Sequence, residues 1–320
     1  MPTLAKVSAR VTSQLAAAWV AMAQEARDLW VPRRVPAVDA FEVTPLEFHR
    51  RYVGPNTPAL IRGGCRHWPA IRKWTNAFLV ERMATSPVSV ALTPDGRGDC
   101  LVDGRYVSPY EEQMSLERFF HVLTDPGSNA IPYIQKQCDS LHEEFGRLCD
   151  DVPELGIGRD LFTHLDAANV WIGDSRAYSA VHSDAYENLL CVVAGVKHVT
   201  LFPPTDLPFL YQRQYARGQY ARDSSGEFRI EDCGENVVWV SVDPPDVSLD
   251  EFPLYEHASP IEVAVEAGDV LYLPSLWYHR VGQTPDAEGR CIAVNFWYDM
   301  QYDSRYTWMR FQESFAGAGR

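Results

Sequence analysis

Apolar side chains recur at steps of three and four near the start of the chain, at Leu4, Val7, Val11, Leu15, Trp19, Met22, Ala26 and Leu29. That spacing gathers them on one narrow stripe of an α-helix, which is expected to pack on the rest of the domain or on a second subunit. The pattern then breaks, because Pro32 and Pro36 each follow a valine and bias residues 31–43 toward extended backbone. A short helix is expected over Pro45–Tyr52, with Thr44 as its cap and Pro45 at its first position. Pro58–Arg62 and Val88–Leu92 are apolar runs of strand length. The first is closed by Gly63-Gly64 and the second by the turn signal Pro94-Asp95-Gly96. From about Ile131 onward short β segments dominate, among them Val170–Ile172, Leu189–Val193, His198–Phe202, Ile261–Val265, Val270–Leu273 and Cys291–Trp297. Tight turns such as Ala194-Gly195 and Ala267-Gly268-Asp269 separate them, as in a sandwich or barrel. Long loops are expected over Pro203–Arg229 and Asp243–Pro260, and a closing helix over Tyr302–Phe315. The expected fold is mainly β with helical additions. An N-terminal helix over 1–30 is a candidate dimer contact, the main domain covers 31–300, and a C-terminal helix covers 301–320.

With 320 residues, 46% of them hydrophobic, the chain can bury one substantial core. No apolar run reaches the roughly 20 residues needed to span a bilayer, which excludes a membrane-embedded reading. Charge narrows the partners: 29 basic against 43 acidic residues leaves −14, which repels phosphate backbones on average and favours a basic polypeptide over nucleic acid. Seven cysteines, scattered singly and without a C-x-x-C pair, argue against a zinc module or a disulfide scaffold and for a reducing compartment. The cytoplasm is the expected location, with the nucleus as an addition. The alanine-rich start, with Lys6 and Arg10 and no acid before Glu25, also fits a mitochondrial presequence, against which the helical stripe is preferred.

The candidate chemistry starts at His182-Ser183-Asp184. In extended backbone, residues two apart share a face, so both side chains would converge. A second histidine would complete the 2-His-1-carboxylate set that leaves open positions on iron(II), and His279, just after Trp277-Tyr278, is the candidate. Taken singly, each histidine would suit a packed, hydrogen-bonded core position. Two other histidines begin similar pairs. His142-Glu143-Glu144 lies in Leu141–Leu148, which reads as helix, where positions two apart diverge. His164-Leu165-Asp166 is read as lacking core strands directly after it, whereas His182 leads straight into Leu189–Phe202. The H-E-x-x-H helix of zinc hydrolases is absent.

Taken together, Trp68-Pro69-Ala70, Tyr133–Cys138, His182–Asn188, Gly195–His198, Phe202-Pro203-Pro204, Leu271–Pro274, Trp277–His279 and Val294–Met300 make the chain resemble the jumonji-C oxygenases over roughly residues 30–310. The resemblance implies a double-stranded β-helix, a jelly-roll or cupin-like barrel of eight core strands, with iron(II) at one open end and 2-oxoglutarate and O2 as cosubstrates. It matches His182, Asp184 and His279 to the iron ligands and Lys197 to the cation that pairs with the distal carboxylate of 2-oxoglutarate. Lys197 also stands between the apolar Val196 and Val199, where a buried cation is costly without an anion. Tyr133 matches a second donor to that carboxylate, Asn188 and Asn295 match amides beside cosubstrate and metal, Ser179 keeps a hydroxyl, and Trp297 lines the pocket. The implied activity is hydroxylation at C3 of a lysine in a developmentally regulated GTP-binding protein, a translation-associated GTPase, by a homodimeric enzyme. Tyr186, Glu187 and Asp303 are the candidates for meeting the lysine ammonium. Histone lysine demethylation, tRNA-base hydroxylation, peptidase activity and a non-catalytic barrel are the alternatives.

Overall fold

A computed structural model of the chain describes residues 4–316, so the outermost positions of both expected terminal helices lie outside the described residues. The core strands form two facing sheets: β1 (Leu165–Gly173), β2 (Tyr178–Ser183), β3 (Tyr186–Ala194), β4 (Val196–Phe202), β5 (Ile261–Glu266), β6 (Val270–Leu273), β7 (Tyr278–Thr284) and β8 (Cys291–Asp299). One sheet runs β6-β3-β8-β1 and is extended beyond β6 by Ala59–Arg62 and Ala37–Asp39. The other runs β5-β4-β7-β2 and is extended beyond β2 by Arg97–Gly98. This is the barrel expected above, with the expected helical additions around it.

The apolar pattern of each strand follows from its layer. β3 and β8 lie between two cores, so their middles, Leu189–Val193 and Cys291–Val294, read as continuous apolar runs. Leu190, Val192 and Ala293 face the barrel interior, while Leu189, Cys191, Val193, Ile292, Val294 and Phe296 pack against Phe48, Trp68, Leu79 and Phe119 of the N-terminal elaboration. β5 faces solvent on one side and alternates instead, with Ile261 and Val265 buried and Glu262 and Glu266 exposed.

The local signals near the start hold. Thr44 caps Pro45–Phe48 in a capping box with Glu47, and a single wide π turn carries the helix on through His49–Val53. The N-terminal helix α1 (Leu4–Leu29) is anchored through its last turns: Ala23 is buried, Arg27 Nη2 reaches Asp206 Oδ1 at 2.8 Å, and Trp30 meets Trp277 edge-on. Leu29 does not belong to the buried stripe and is 79% exposed, because Trp30, just past the helix end, takes the place against the barrel.

Three expectations are corrected. Pro203–Arg229 is not a loop: after a 3-10 turn at Pro204–Phe209, Gln212–Arg222 pairs antiparallel with Phe228–Val240 in a long hairpin. Leu141–Leu148 is not one helix but a turn of α-helix at Ser140–Glu143 followed by a 3-10 segment at Gly146–Asp151. His164 is followed at once by a core strand, β1, so its H-x-D pair is set apart by position rather than by missing strands. The closing helix α2 spans Ser304–Ala316.

Candidate active site

Strand pairing brings the sequence-predicted residues together at one end of the barrel. His182 on β2 lies directly opposite His279 on β7, after a bulge between Ser179 and His182. β2 ends at Ser183, so Asp184 stands in the short link to β3 rather than in the strand, held by the Leu276 amide, which donates to its carbonyl at 2.8 Å. Its carboxylate nevertheless returns to the histidines: Asp184 Oδ2 is 3.8 Å from His182 Nε2 and 3.7 Å from His279 Nε2. Ligands on one ion at bonds of about 2.0–2.2 Å can be at most roughly 4.4 Å apart, and these meet that limit.

The ring orientations are set by backbone carbonyls. His182 Nδ1 is 2.8 Å from the Ala180 carbonyl and His279 Nδ1 is 3.0 Å from the Trp277 carbonyl. A carbonyl only accepts, so both Nδ1 atoms carry the proton and both Nε2 lone pairs face Asp184. Asp184 Oδ2 is buried without a hydrogen-bond partner, the mark of an oxygen that awaits a cation.

The cavity below this triad is lined by Tyr133, Trp171, Ser179, Asn188, Lys197 and Trp297, among others. Lys197 is 1% exposed, and its Nζ donates to Gln283 Oε1 at 2.6 Å and to the Tyr133 hydroxyl at 3.1 Å. Both partners are neutral, and among the described residues no ion pair involves Lys197. The hairpin that delivers it needs glycine at 195, where φ is +72° and a Cβ would lie 2.5 Å from the Thr284 carbonyl oxygen. Gly173 makes room as well, since a Cβ there would lie 2.7 Å from the Tyr133 ring and 2.8 Å from Gln283 Nε2. On the opposite sheet Trp171 Nε1 donates to Asn295 Oδ1 at 2.8 Å, and Asn295 Nδ2 donates to Asn188 Oδ1 at 3.2 Å. Trp297 stacks on Tyr186 with centroids 4.9 Å apart.

A profile of the cupin-like domain family matches residues 45–304. The human bifunctional peptidase and (3S)-lysyl hydroxylase JMJD7 is 38% identical over 298 residues, which cover 92% of this chain and 93% of that protein. The chain belongs to the cupin-like jumonji-C oxygenases. Two further relatives share nearly the whole length: the lysine-specific demethylase JMJ32 of Arabidopsis thaliana, 35% identical over 316 residues and 92% of each chain, and the JmjC domain-containing protein E of Dictyostelium discoideum, 32% identical over 322 residues and 91% of each chain. As a jumonji-C protein it is a 2-oxoglutarate-dependent dioxygenase, of a family that works with iron(II). The donor set fits that group: two imidazole lone pairs, an unpaired buried carboxylate oxygen, and a buried ammonium across the cavity.

Gln283 and Trp171 belong to this jumonji-C site and were not found in the sequence. Gln283 Nε2 donates to the Asp174 and Ala177 carbonyls, which turns its oxygen toward Lys197. It was legible by parity, since His279, Val281 and Gln283 alternate on one face of β7. Of the expected contacts for a lysine ammonium, Glu187 and Asp303 are engaged elsewhere. Glu187 faces away from the cavity and accepts from the Tyr272 hydroxyl at 2.7 Å and from Ser275, while Asp303 is paired with Arg305. Tyr186 donates to Asp166 at 2.9 Å.

Burial and the neighbouring His182 push the His279 imidazole down to about 4, against the pull of Asp184. Unfolded, the same ring takes up its proton near 6.5. The unfolded state therefore binds more protons between these values, and stability from this group is complete above pH 6.5 and falls as the pH drops toward 4. In the metal-free protein this loss should amount to about 3 kcal/mol. Denaturant titrations at pH 7 and pH 4.5 check it, and the loss should shrink in His279→Gln; an equal loss in both proteins would refute the assignment.

Proposed function

We propose that the protein hydroxylates a lysine side chain of a protein substrate, with His182, Asp184 and His279 as the iron(II) ligands and Lys197 and Tyr133 as the anchors of 2-oxoglutarate. The observation that carries this reading is the buried Lys197 ammonium, with neutral partners only, across one cavity from three converging ligand atoms. When bound, iron(II) would let O2 serve as the oxidant and 2-oxoglutarate as the co-reductant, so that one oxygen atom enters a substrate C–H bond and the other enters succinate as carbon dioxide leaves. The protein's own groups orient and exclude. The Ala180 and Trp277 carbonyls hold both imidazoles with Nε2 toward the cavity. Lys197 and the Tyr133 hydroxyl would donate to the distal carboxylate of bound 2-oxoglutarate, and Gln283 keeps the ammonium aimed. Asn188 and Asn295 brace each other beside the triad, Ser179 adds a hydroxyl, and Trp297 with Tyr186 walls off water.

Lysine as the substrate residue is supported by the name of the human relative and by the net charge of −14, which suits a basic peptide. The finer reading is C3 hydroxylation within a developmentally regulated GTP-binding protein. Mass spectrometry of lysine-bearing peptides after anaerobic loading with iron(II) and 2-oxoglutarate and exposure to oxygen should show one added oxygen on lysine. Loss of methyl groups from methylated lysine would move the reading to a demethylase, and a cut chain to a peptidase.

A further inference from the structure

The hairpin Gln212–Arg222 and Phe228–Val240 does not stand alone. Gln212–Arg222 pairs in parallel with Arg105–Ser108, which in turn pairs with Cys100–Val102, giving a four-stranded sheet. Its inner end reaches the metal-ligand strand through Arg97–Gly98, where Gly98 lies opposite Ser179 of β2. Three side chains gather beside His182, Tyr106 and Trp239 from strands of this sheet and Asp99 from the bend just before Cys100–Val102. The Trp239 ring lies parallel to the His182 ring at 6.4 Å, Tyr106 packs on Trp239 at 4.8 Å, and the Tyr106 hydroxyl donates to Asp99 Oδ1 at 2.8 Å. A cleft of about 750 Å³ opens along His182, Ser183 and Trp239, with Arg213 and the Arg310–Glu313 pair also on its walls, roomy enough for a peptide segment.

We propose that Asp99, Tyr106 and Trp239 form the seat for the cationic side-chain end of the substrate, on the far side of His182 from Lys197. A carboxylate beside two electron-rich rings is the arrangement that holds an ammonium group in a partly dry setting. Asp99 has capacity to spare: a carboxylate offers about four acceptor sites, of which the Tyr106 hydroxyl, Gln135 Nε2 at 3.3 Å and the Ser108 hydroxyl engage three. Burial pushes its carboxyl up despite the Tyr106 hydroxyl, the nearby His182, the Ser108 hydroxyl and Arg217, so an arriving cation would relieve a strained charge. Arg217 does not fill the seat itself, since it pairs outward with Glu235. Among the described residues, other acids near the mouth are committed: Asp166 to Tyr186, Asp299 to His164, Glu187 to Tyr272 and Ser275, Glu313 to Arg310, and Asp243 to the Val181 amide and Tyr178.

This inference rests on the lysyl reading above, and the experiment separates the two. A capped Ala-Gly-Lys-Gly-Ala peptide and its norleucine counterpart are titrated into the metal- and cosubstrate-free protein. Wild type should bind the lysine peptide about tenfold more tightly or better, as a charge-assisted contact implies. Asp99→Asn should bring the two peptides within about twofold while leaving norleucine binding unchanged, and Trp239→Leu should cut the lysine preference by about threefold or more. A lysine preference that survives both substitutions, or equal weakening of both peptides, overturns the seat while leaving the lysyl reading intact. Absence of any lysine preference in wild type overturns both.

Discussion

Lys197→Met is expected to raise the 2-oxoglutarate concentration needed for half-maximal succinate release by about 100-fold or more, without unfolding the protein. Removing one member of a buried charge pair costs about 2–5 kcal/mol. On the proposed reading the pair would form only when the dicarboxylate is bound, so that cost would fall on binding. In the free protein the ammonium is 1% exposed and is met by the Gln283 oxygen and the Tyr133 hydroxyl alone. A methionine of similar length removes the desolvation burden of the cation, and the two polar groups left behind cost about 1 kcal/mol each or more. These effects oppose each other, so the unliganded stability should stay within about 2 kcal/mol of wild type. The thermal shift that 2-oxoglutarate produces in wild type should disappear. An unchanged cosubstrate requirement would show that the anchor lies elsewhere.

Asp184→Ala should abolish substrate-dependent succinate formation and lower metal affinity by more than about 100-fold, the upper end of what loss of an outer-layer partner alone causes. Two imidazoles would remain, with their Nε2 atoms still aimed by the Ala180 and Trp277 carbonyls. The stability of the metal-free protein should not fall, because Asp184 Oδ2 is already buried without a partner and its removal relieves that burial. Metal titration and denaturant unfolding of the metal-free variant separate the two effects. A variant that loses activity only because it unfolds would contradict this account, as would one that keeps full turnover.

How legible these sites were depended on the kind of pattern that carries them. The β core was readable because strands buried on both faces carry mostly apolar residues, as Leu189–Val193 does throughout and Cys291–Trp297 does except at Asn295, a site residue. The hairpin at Gln212–Arg222 and Phe228–Val240 was not. Most of its residues are exposed or half-buried, so no core imposes alternation on it, and Asp223-Ser224-Ser225-Gly226 reads as loop chemistry. Missing that hairpin also hid Trp239, and with it the seat beside His182. Glu187 was misread although its parity was available. Asn188 faces the cavity, so its neighbour on the strand must face the opposite layer.

By itself the sequence determined the core strands and the local chemistry: the two-residue period of the strands, the glycine that lets the β3–β4 hairpin turn, and an H-x-D pair close enough in the chain to converge. Only the tertiary structure decided which distant side chains share a cavity. His279 reaches Asp184 because β7 pairs with β2, and Lys197 meets Gln283 because the same strand pairs with β4. Spacing along the chain constrains neighbours a few residues apart. Partners on different strands are chosen by sheet register, which depends on how the whole apolar surface is buried.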